Sequence, residues 1–527
     1  MFNEKIHRYL FLFGVSSLAF GMMVGTVPTS IPQFILLGNW LLEMDFKRKW
    51  QQLKTNKLFW ILSSVFLIHV VGLLYTNDLV SGWNDVRTKL PLIFLPVVFL
   101  SSKQLSVKEF YFVLYCFLAG SIINTAWCYI YTFILHKNEV VRSASRFMSH
   151  IRLGLYLNVA LACCFYFIII SQTYYRKFLF ALLIIYFLLM MYALGLASGF
   201  VNFFILSFLT LCYLILKLNF GIKLLLILSI LACFFFVYHY VFKIYSTQTI
   251  LNAGEINLHQ KKTASGRLYY HFDSPTQKEN GNIVQINLQF EELKNEWNYR
   301  CPSDSFSYKG KYNLGRYQVL IRYLSSKGLK KDSLGIWSLN EEDIKNIQSN
   351  ITNFQMPEWS YLHKRVYEWV NEYDEFNNNR SVNGHSLIMR LYFWKAAIHI
   401  IKDNLLAGIG TGDVQNELNK AYLETKAPLS QEWFKRPHNQ FLTITVATGL
   451  IGLIIFILNL ILPILLLRKN LHLLYWPFTV MVIISFFIED TLETQAGLTF
   501  YAFFNVLFIS MAHYKETSGK LPDKLIH

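Results

Sequence analysis

The chain has 527 residues, 54% of them hydrophobic and 17% aromatic, with a mean hydropathy of +0.33 and a formal net charge of +16. That apolar content excludes an ordinary soluble enzyme, and apolar runs long enough to cross a bilayer point to a polytopic membrane protein. The positive balance does not argue for nucleic acid, because much of it sits in short connections between apolar runs, where it reports topology. Seven cysteines show neither a disulfide framework nor metal-ligand spacing; Cys301 stands alone in a polar stretch and the others lie in apolar runs.

The first apolar run, 9–25, follows Lys5 and Arg8 without a clear small-residue cleavage site and reads as a retained helix. Further runs lie near 29–43, 58–75, 90–100, 109–135, 151–171, 178–195, 199–216, 224–242, 441–467, 474–488 and 495–513. Together they give an expected total of about twelve transmembrane helices. Lys5 and Arg8, Lys47, Arg48 and Lys49, Lys103 and Lys108, Arg176 and Lys177, Lys217 and Lys223, Arg468 and Lys469, and Lys515, Lys520 and Lys524 alternate onto one side. The positive-inside rule makes that side, with both termini, cytoplasmic. The connection at 136–150, with Lys137, Arg142 and Arg146, is a mild exception. The expected organisation is helices one to nine in 1–242, a large outer domain in 243–440, helices ten to twelve in 441–513, and a cytoplasmic tail, 514–527.

Two outward connections carry cations. Arg87 and Lys89 end the first, where snorkelling toward lipid is the favoured role, and Arg152 lies just inside the run that follows the second. A guanidinium at that depth either serves a site or anchors the interface. In the outer segment, Val284, Ile286, Leu288 and Phe290 alternate with polar residues and predict a strand. The stretch from Arg316 reads as a helix closed by Gly328, and Ser338 with Glu341 has capping-box spacing. A further helix is expected over 357–376, so the segment is an α+β domain rather than a linker. From Ser386 an amphipathic helix runs to Lys402, followed by the glycine-rich turn Ala407-Gly-Ile-Gly-Thr-Gly412. That turn is a weak sign of phosphate binding, since no strand precedes it.

The chain then reaches Arg436-Pro-His-Asn-Gln-Phe-Leu442, at the mouth of the run 441–467. Pro437 suits the first turn of a helix, and Gly449 and Gly452 give one helix face a close approach to a neighbour. A lone histidine there is most often an interfacial anchor. His438, however, accompanies outward arginines and an acidic outward hairpin, Glu489-Asp-Thr-Leu-Glu493. One possible base beside cations, at a bilayer surface, suits an anionic lipid head group and a proton-accepting step. Walker, zincin and serine-hydrolase motifs are lacking, and neither a metal nor a cofactor is implied.

Arg390-Leu-Tyr-Phe-Trp394 and Asn404-Leu-Leu-Ala-Gly-Ile-Gly410, paired with Pro437-His-Asn-Gln-Phe-Leu442 and Thr448-Gly-Leu-Ile-Gly452, resemble the signature of the O-antigen ligase/polymerase superfamily. Ser149-His-Ile-Arg-Leu-Gly-Leu-Tyr156 and Glu489-Asp-Thr-Leu-Glu-Thr-Gln-Ala-Gly497 are similar to ligase segments of the Bacteroidetes type. The resemblance implies an all-α, GT-C-like inner-membrane enzyme with a large periplasmic loop. Its reaction would be metal-independent, inverting transfer of a glycan from an undecaprenyl-diphosphate donor to a hydroxyl of lipid A-core or another acceptor. His438 would be the general base and Arg390 would hold the diphosphate, with Arg152 and, by adjacency, Arg436 adding charge. Asn439, Glu489, Asp490 and Glu493 are secondary candidates. Many members carry Ser-Arg at the outer end of a middle span, where this chain has Ser198-Gly199. A repeat-unit polymerase or a protein O-oligosaccharyltransferase would use the same donor site. A transporter or lipid flippase, the reading from another class, would need paired broken helices and an internal repeat, which the sequence lacks.

Overall fold

Each of the apolar runs lies on a helix. The computed structural model describes residues 4–135, 145–216, 220–250, 261–272, 277–306, 315–378, 382–468 and 470–518. Lys137, Arg142, Lys217, Lys469, Lys520 and Lys524 lie outside them. Packing divides the chain into two compact units, Met1–Leu216 with Arg390–His527, and Lys217–Met389. The bounds 243–440 followed polarity, whereas the packing boundary falls at 217 and 390.

The first unit opens with α1 (Glu4–Val24) and α2 (Thr26–Leu42), a helical hairpin that turns at Gly25, whose φ of +144° suits glycine. Then follow α3 (Phe46–Thr55), α4 (Lys57–Gly72), α5 (Leu79–Lys89), α6 (Pro91–Ser101), α7 (Val107–Tyr129), α8 (His150–Ile170), α9 (Tyr174–Ala193) and α10 (Ala197–Leu216). Arg8 pairs with Glu109 and donates to the carbonyls of Lys103 and Gln104, so the start of α1 and the connection into α7 share one end of the bundle.

The second unit contains α11 (Phe220–Thr249), α12 (Phe290–Arg300), α13 (Arg316–Ser326), α14 (Ser333–Trp337), α15 (Glu341–Gln348) and α16 (Tyr361–Asn377). Its core gathers Trp297, Leu320, Tyr323, Leu324 and Ile336. The expected strand at 284–290 is not formed. Lys278–Glu279 and Asn282–Ile283 make a two-residue antiparallel hairpin, Leu288 makes only isolated bridges, and Phe290 already begins α12. Val284, Ile286 and Leu288 are buried, so the alternation reports an irregular extended segment with one face inward. The expected capping box is shifted by two residues: Asn340 and Asp343 cap α15, and Ser338 closes α14. Gly328, at φ +67°, follows α13 as expected.

The chain re-enters the first unit within α17 (Ser386–Asp403) and continues through α18 (Val414–Glu424), α19 (Gln440–Leu467), α20 (Tyr475–Ile488) and α21 (Gln495–Ser518). Among the described residues, eight helices are long and apolar enough to cross a membrane, and Ala197–Cys212 and Tyr475–Ile488 are shorter apolar helices. The other two expected spans are α2, of 17 residues, and α6, of 11. Across Gln495–Ala512, 89% of the span is buried, so α21 is the axis of its unit. Tyr156 stacks on Phe500 at 4.1 Å and donates to the Ala496 carbonyl, fixing α8 to that axis. Polar groups in this core are mostly paired: Asn459 donates to the Ile61 carbonyl and accepts from Tyr501. Gly154 and Gly199 bring α8 and α10 into backbone contact, since a Cβ on Gly154 would lie 2.8 Å from the Gly199 Cα. The Ser198-Gly199 step, where the resemblance implies Ser-Arg, therefore lies at a helix crossing.

Candidate active site

The site is built on a break in α19. Gly449 adopts φ +65°, interrupting the helix and freeing backbone groups on both sides of the break. The glycine turn supplies their partners. Ile409 and Gly410 donate to the carbonyls of Val446 and Ala447, while Leu450 and Ile451 donate to those of Leu405 and Leu406. Thr411 and Gly412 donate to the Gly72 carbonyl and the Thr76 hydroxyl. The amides of 409–412 are thus committed within the protein, and the turn is a backbone splice rather than a phosphate cradle. Asp413, just beyond it, is buried and accepts from the Thr76 hydroxyl (3.0 Å) and the amides of Asn77 (2.7 Å) and Asp78 (2.9 Å). Gly449 and Gly452 were expected to admit a neighbouring helix. Gly449 instead meets this turn, with Leu406 O 2.2 Å from where its Cβ would lie, and Gly452 makes room for the Thr448 side chain.

At the other end of this stretch Asn439 is the N-cap of α19, its Oδ1 accepting from Phe441 and Leu442. Pro437 therefore precedes the helix instead of opening it, which leaves His438 in a turn at φ +49°, an uncommon conformation for a non-glycine residue. Asp490 holds that turn. Its buried carboxylate accepts from the amides of His438 (2.9 Å) and Asn439 (3.1 Å) and from the Thr443 hydroxyl (2.6 Å). From α17, Trp394 Nε1 donates to the Pro437 carbonyl at 3.0 Å, and the Phe393 ring lies 5.9 Å from the imidazole.

Next to Asp490, Glu489 presents Oε2 to His438 Nδ1 at 3.4 Å. Nδ1 is sealed from solvent while the side chain keeps 34% exposure, so the open part of the ring is its other edge. Burial disfavours the imidazolium, but the contact and charge of Glu489, then Asp490, outweigh burial and Arg390 and raise the His438 pKa above its ordinary value. Burial raises Glu489 in turn, yet His438, Arg152 and Arg390 together bring it below the usual carboxylate range. Arg152 Nε is buried without a hydrogen-bond partner among the described residues. For Asp490, burial and the charge of Glu493 dominate and its pKa is raised.

Arg436 and Glu493 fall in a separate cluster. Glu493 Oε2 meets Arg436 Nη1 at 2.5 Å and Lys89 Nζ at 2.9 Å; Asp85 meets Lys89 at 2.7 Å and Arg436 at 3.8 Å. Gln440 ties this cluster to α19, donating to Glu493 and accepting from the Leu492 amide. Burial opposes the Glu493 carboxylate, but Lys89 and Arg436 hold its pKa far below the ordinary range. Lys89, expected to snorkel, is instead fully buried between two carboxylates, whereas Arg87 is exposed. The cluster holds two cations and two anions, a neutral set whose breakage would leave a buried charge unpaired. The sequence reading missed Asp85, Asp413, Gln440 and Thr443 as parts of this frame. Among the described residues no group of three or more His, Cys, Asp or Glu side chains is arranged to hold a metal ion.

The fold and site define a multi-pass membrane protein that carries a histidine–carboxylate pair, flanked by arginines, at one end of its helices. Residues 336–457 match the family model described as O-antigen ligase, which supports membership of that superfamily. The matched segment includes Arg390, Arg436, His438, Asn439 and the Gly449 break, but neither Arg152 nor the hairpin 489–493. No curated protein matches the chain.

Proposed function

We propose that the chain is an O-antigen ligase-like inverting glycosyltransferase, moving a glycan from an undecaprenyl-diphosphate donor to an acceptor hydroxyl, a lipid A-core sugar, at the periplasmic face of the inner membrane. The observation that carries this reading is the His438–Glu489 pair, set in a turn clamped by Asp490 and within the electrostatic reach of Arg390. Glu489 keeps the Nδ1 side of the ring occupied, which leaves Nε2 to take the proton from the acceptor hydroxyl. The oxygen then bonds to the anomeric carbon as the bond from that carbon to the diphosphate oxygen breaks, inverting its configuration. The diphosphate leaves on the polyprenyl lipid, its charge offset by Arg390 and Arg152. The imidazolium, stabilised by Glu489, returns its proton to solvent.

The test is His438→Ala in detergent-purified protein given lipid-linked donor and acceptor. Loss of a general base costs about 10²–10⁴ in rate, whereas an interfacial anchor would cost about 1 kcal/mol of stability and little turnover. A stable variant retaining more than about a tenth of the wild-type rate would move the base elsewhere.

A further inference from the structure

At the end of the first unit where Arg8 meets the 103–109 connection, a cavity of 760 Å³ opens among α3, α4, α6 and the end of α19. Its lining mixes two chemistries: Lys57, Lys103 and Gln104 stand beside Phe99, Leu100 and Leu466. The nearby acids are already engaged: Glu43 and Asp45 pair with Lys49 and Arg48, and Glu109 pairs with Arg8. Lys57 and Lys103 have no carboxylate partner among the described residues. Lys57 is also the first residue of α4, where the helix end adds partial positive charge.

The surroundings set this cavity at the level of lipid head groups. Trp50 and Trp60, 55% and 43% exposed, lie on α3 and α4, two of the helices that line it, and Trp60 Nε1 donates to the Lys54 carbonyl. Exposed tryptophans of this kind concentrate at membrane–water interfaces. The α3 wall is firmly held, because buried Lys49 donates to the Trp40 carbonyl and lies over the Trp40 ring at 4.7 Å. A free anion would use only the lysines, and a neutral acyl chain only the apolar residues.

We propose that this cavity binds an anionic glycerophospholipid, with its phosphate between the Lys57 and Lys103 ammonium groups and an acyl chain against Phe99, Leu100 and Leu466. The test is native mass spectrometry of the delipidated full chain in neutral detergent, titrated with phosphatidylglycerol, phosphatidylcholine or inorganic phosphate. Phosphatidylglycerol is expected to be retained at one per chain, phosphatidylcholine much less, and inorganic phosphate should not displace the lipid. Lys57→Gln with Lys103→Gln should weaken retention roughly 10- to 30-fold, while Lys57→Arg with Lys103→Arg should preserve it. Should the glutamine pair fail to purify, Leu466→Trp, at a half-exposed position, closes the apolar side and should also weaken retention. Equal retention of phosphatidylcholine, competition by inorganic phosphate, or wild-type retention by the glutamine pair or by Leu466→Trp would each overturn the proposal.

Discussion

Asp490→Ala tests whether the histidine turn is held in place or merely happens to be there. The substitution leaves the amides of His438 and Asn439 and the Thr443 hydroxyl without their acceptor. Hydrogen bonds to a charged group are worth about 1.5–3 kcal/mol each, so the two amides alone account for ~3–6 kcal/mol of local stabilisation. Against this stands roughly 1–3 kcal/mol for holding His438 at φ +49°. The clamp therefore outweighs the strain, and without it the turn is expected to relax. An imidazole displaced by about an ångström costs on the order of 10² in rate. The assay is initial rate against donor concentration for purified wild type, Asp490→Ala and Asp490→Asn, normalised to folded protein by gel filtration. The alanine variant is expected to lose kcat about 100-fold with donor KM little changed. The asparagine variant, which keeps one acceptor oxygen, should fall between. Folded Asp490→Ala turning over at the wild-type kcat would refute the reasoning, since a purely structural carboxylate changes how much enzyme folds and not how fast each molecule works.

A His438 pKa raised by Glu489 means that its imidazolium stabilises the fold fully below the unfolded value of ~6.5 and that this contribution fades as pH rises through the folded pKa. The neutral base follows the opposite course, so the acid limb of the rate profile should lie above ~6.5 and move down in Glu489→Gln; an unmoved limb would separate the carboxylate from the base. Arg390→Lys should remain impaired in donor turnover, because an ammonium lacks the guanidinium fork for phosphate oxygens, and full activity would return Arg390 to the surface of α17. Gly449→Ala adds a Cβ 2.2 Å from Leu406 O at a left-handed position, so it should cost about 2–5 kcal/mol, read as lower yield and a lower thermal midpoint.

The helices were legible because apolar periodicity and length are local properties. His438 and Asp490 were legible only as candidates, since what joins them is a contact across 52 residues. The strand at 284–290 was misread for a related reason: inward burial of Val284, Ile286 and Leu288 produces the same alternation as a sheet, and only the partner strand distinguishes them. Lys89 could not be told from a snorkelling lysine until Asp85 and Glu493 were brought to it from its own helix and from the far end of the chain. The glycines of 408–412 announced a tight turn, but the break in α19 that the turn completes appears in sequence only as one more glycine in an apolar run.

The charges around this end of the first unit divide into two sets, and the division bears on which cations meet the donor. Lys89 and Arg436 face Asp85 and Glu493, so drawing Arg436 toward a diphosphate would strip a buried carboxylate of its partner. Asp490 is committed to backbone amides and a hydroxyl. That leaves Glu489, in contact with His438 and acted on by the charges of Arg152 and Arg390, as the second set. In the proposed transfer the diphosphate gains a negative charge as its bond to the anomeric carbon breaks, and the guanidinium groups of Arg152 and Arg390 would offset it. In the proposed mechanism Glu489 is already in contact with the imidazole to offset the charge it gains with the acceptor's proton. On this division we propose that Arg436 fixes the segment that carries His438, while Arg152 and Arg390 meet the donor.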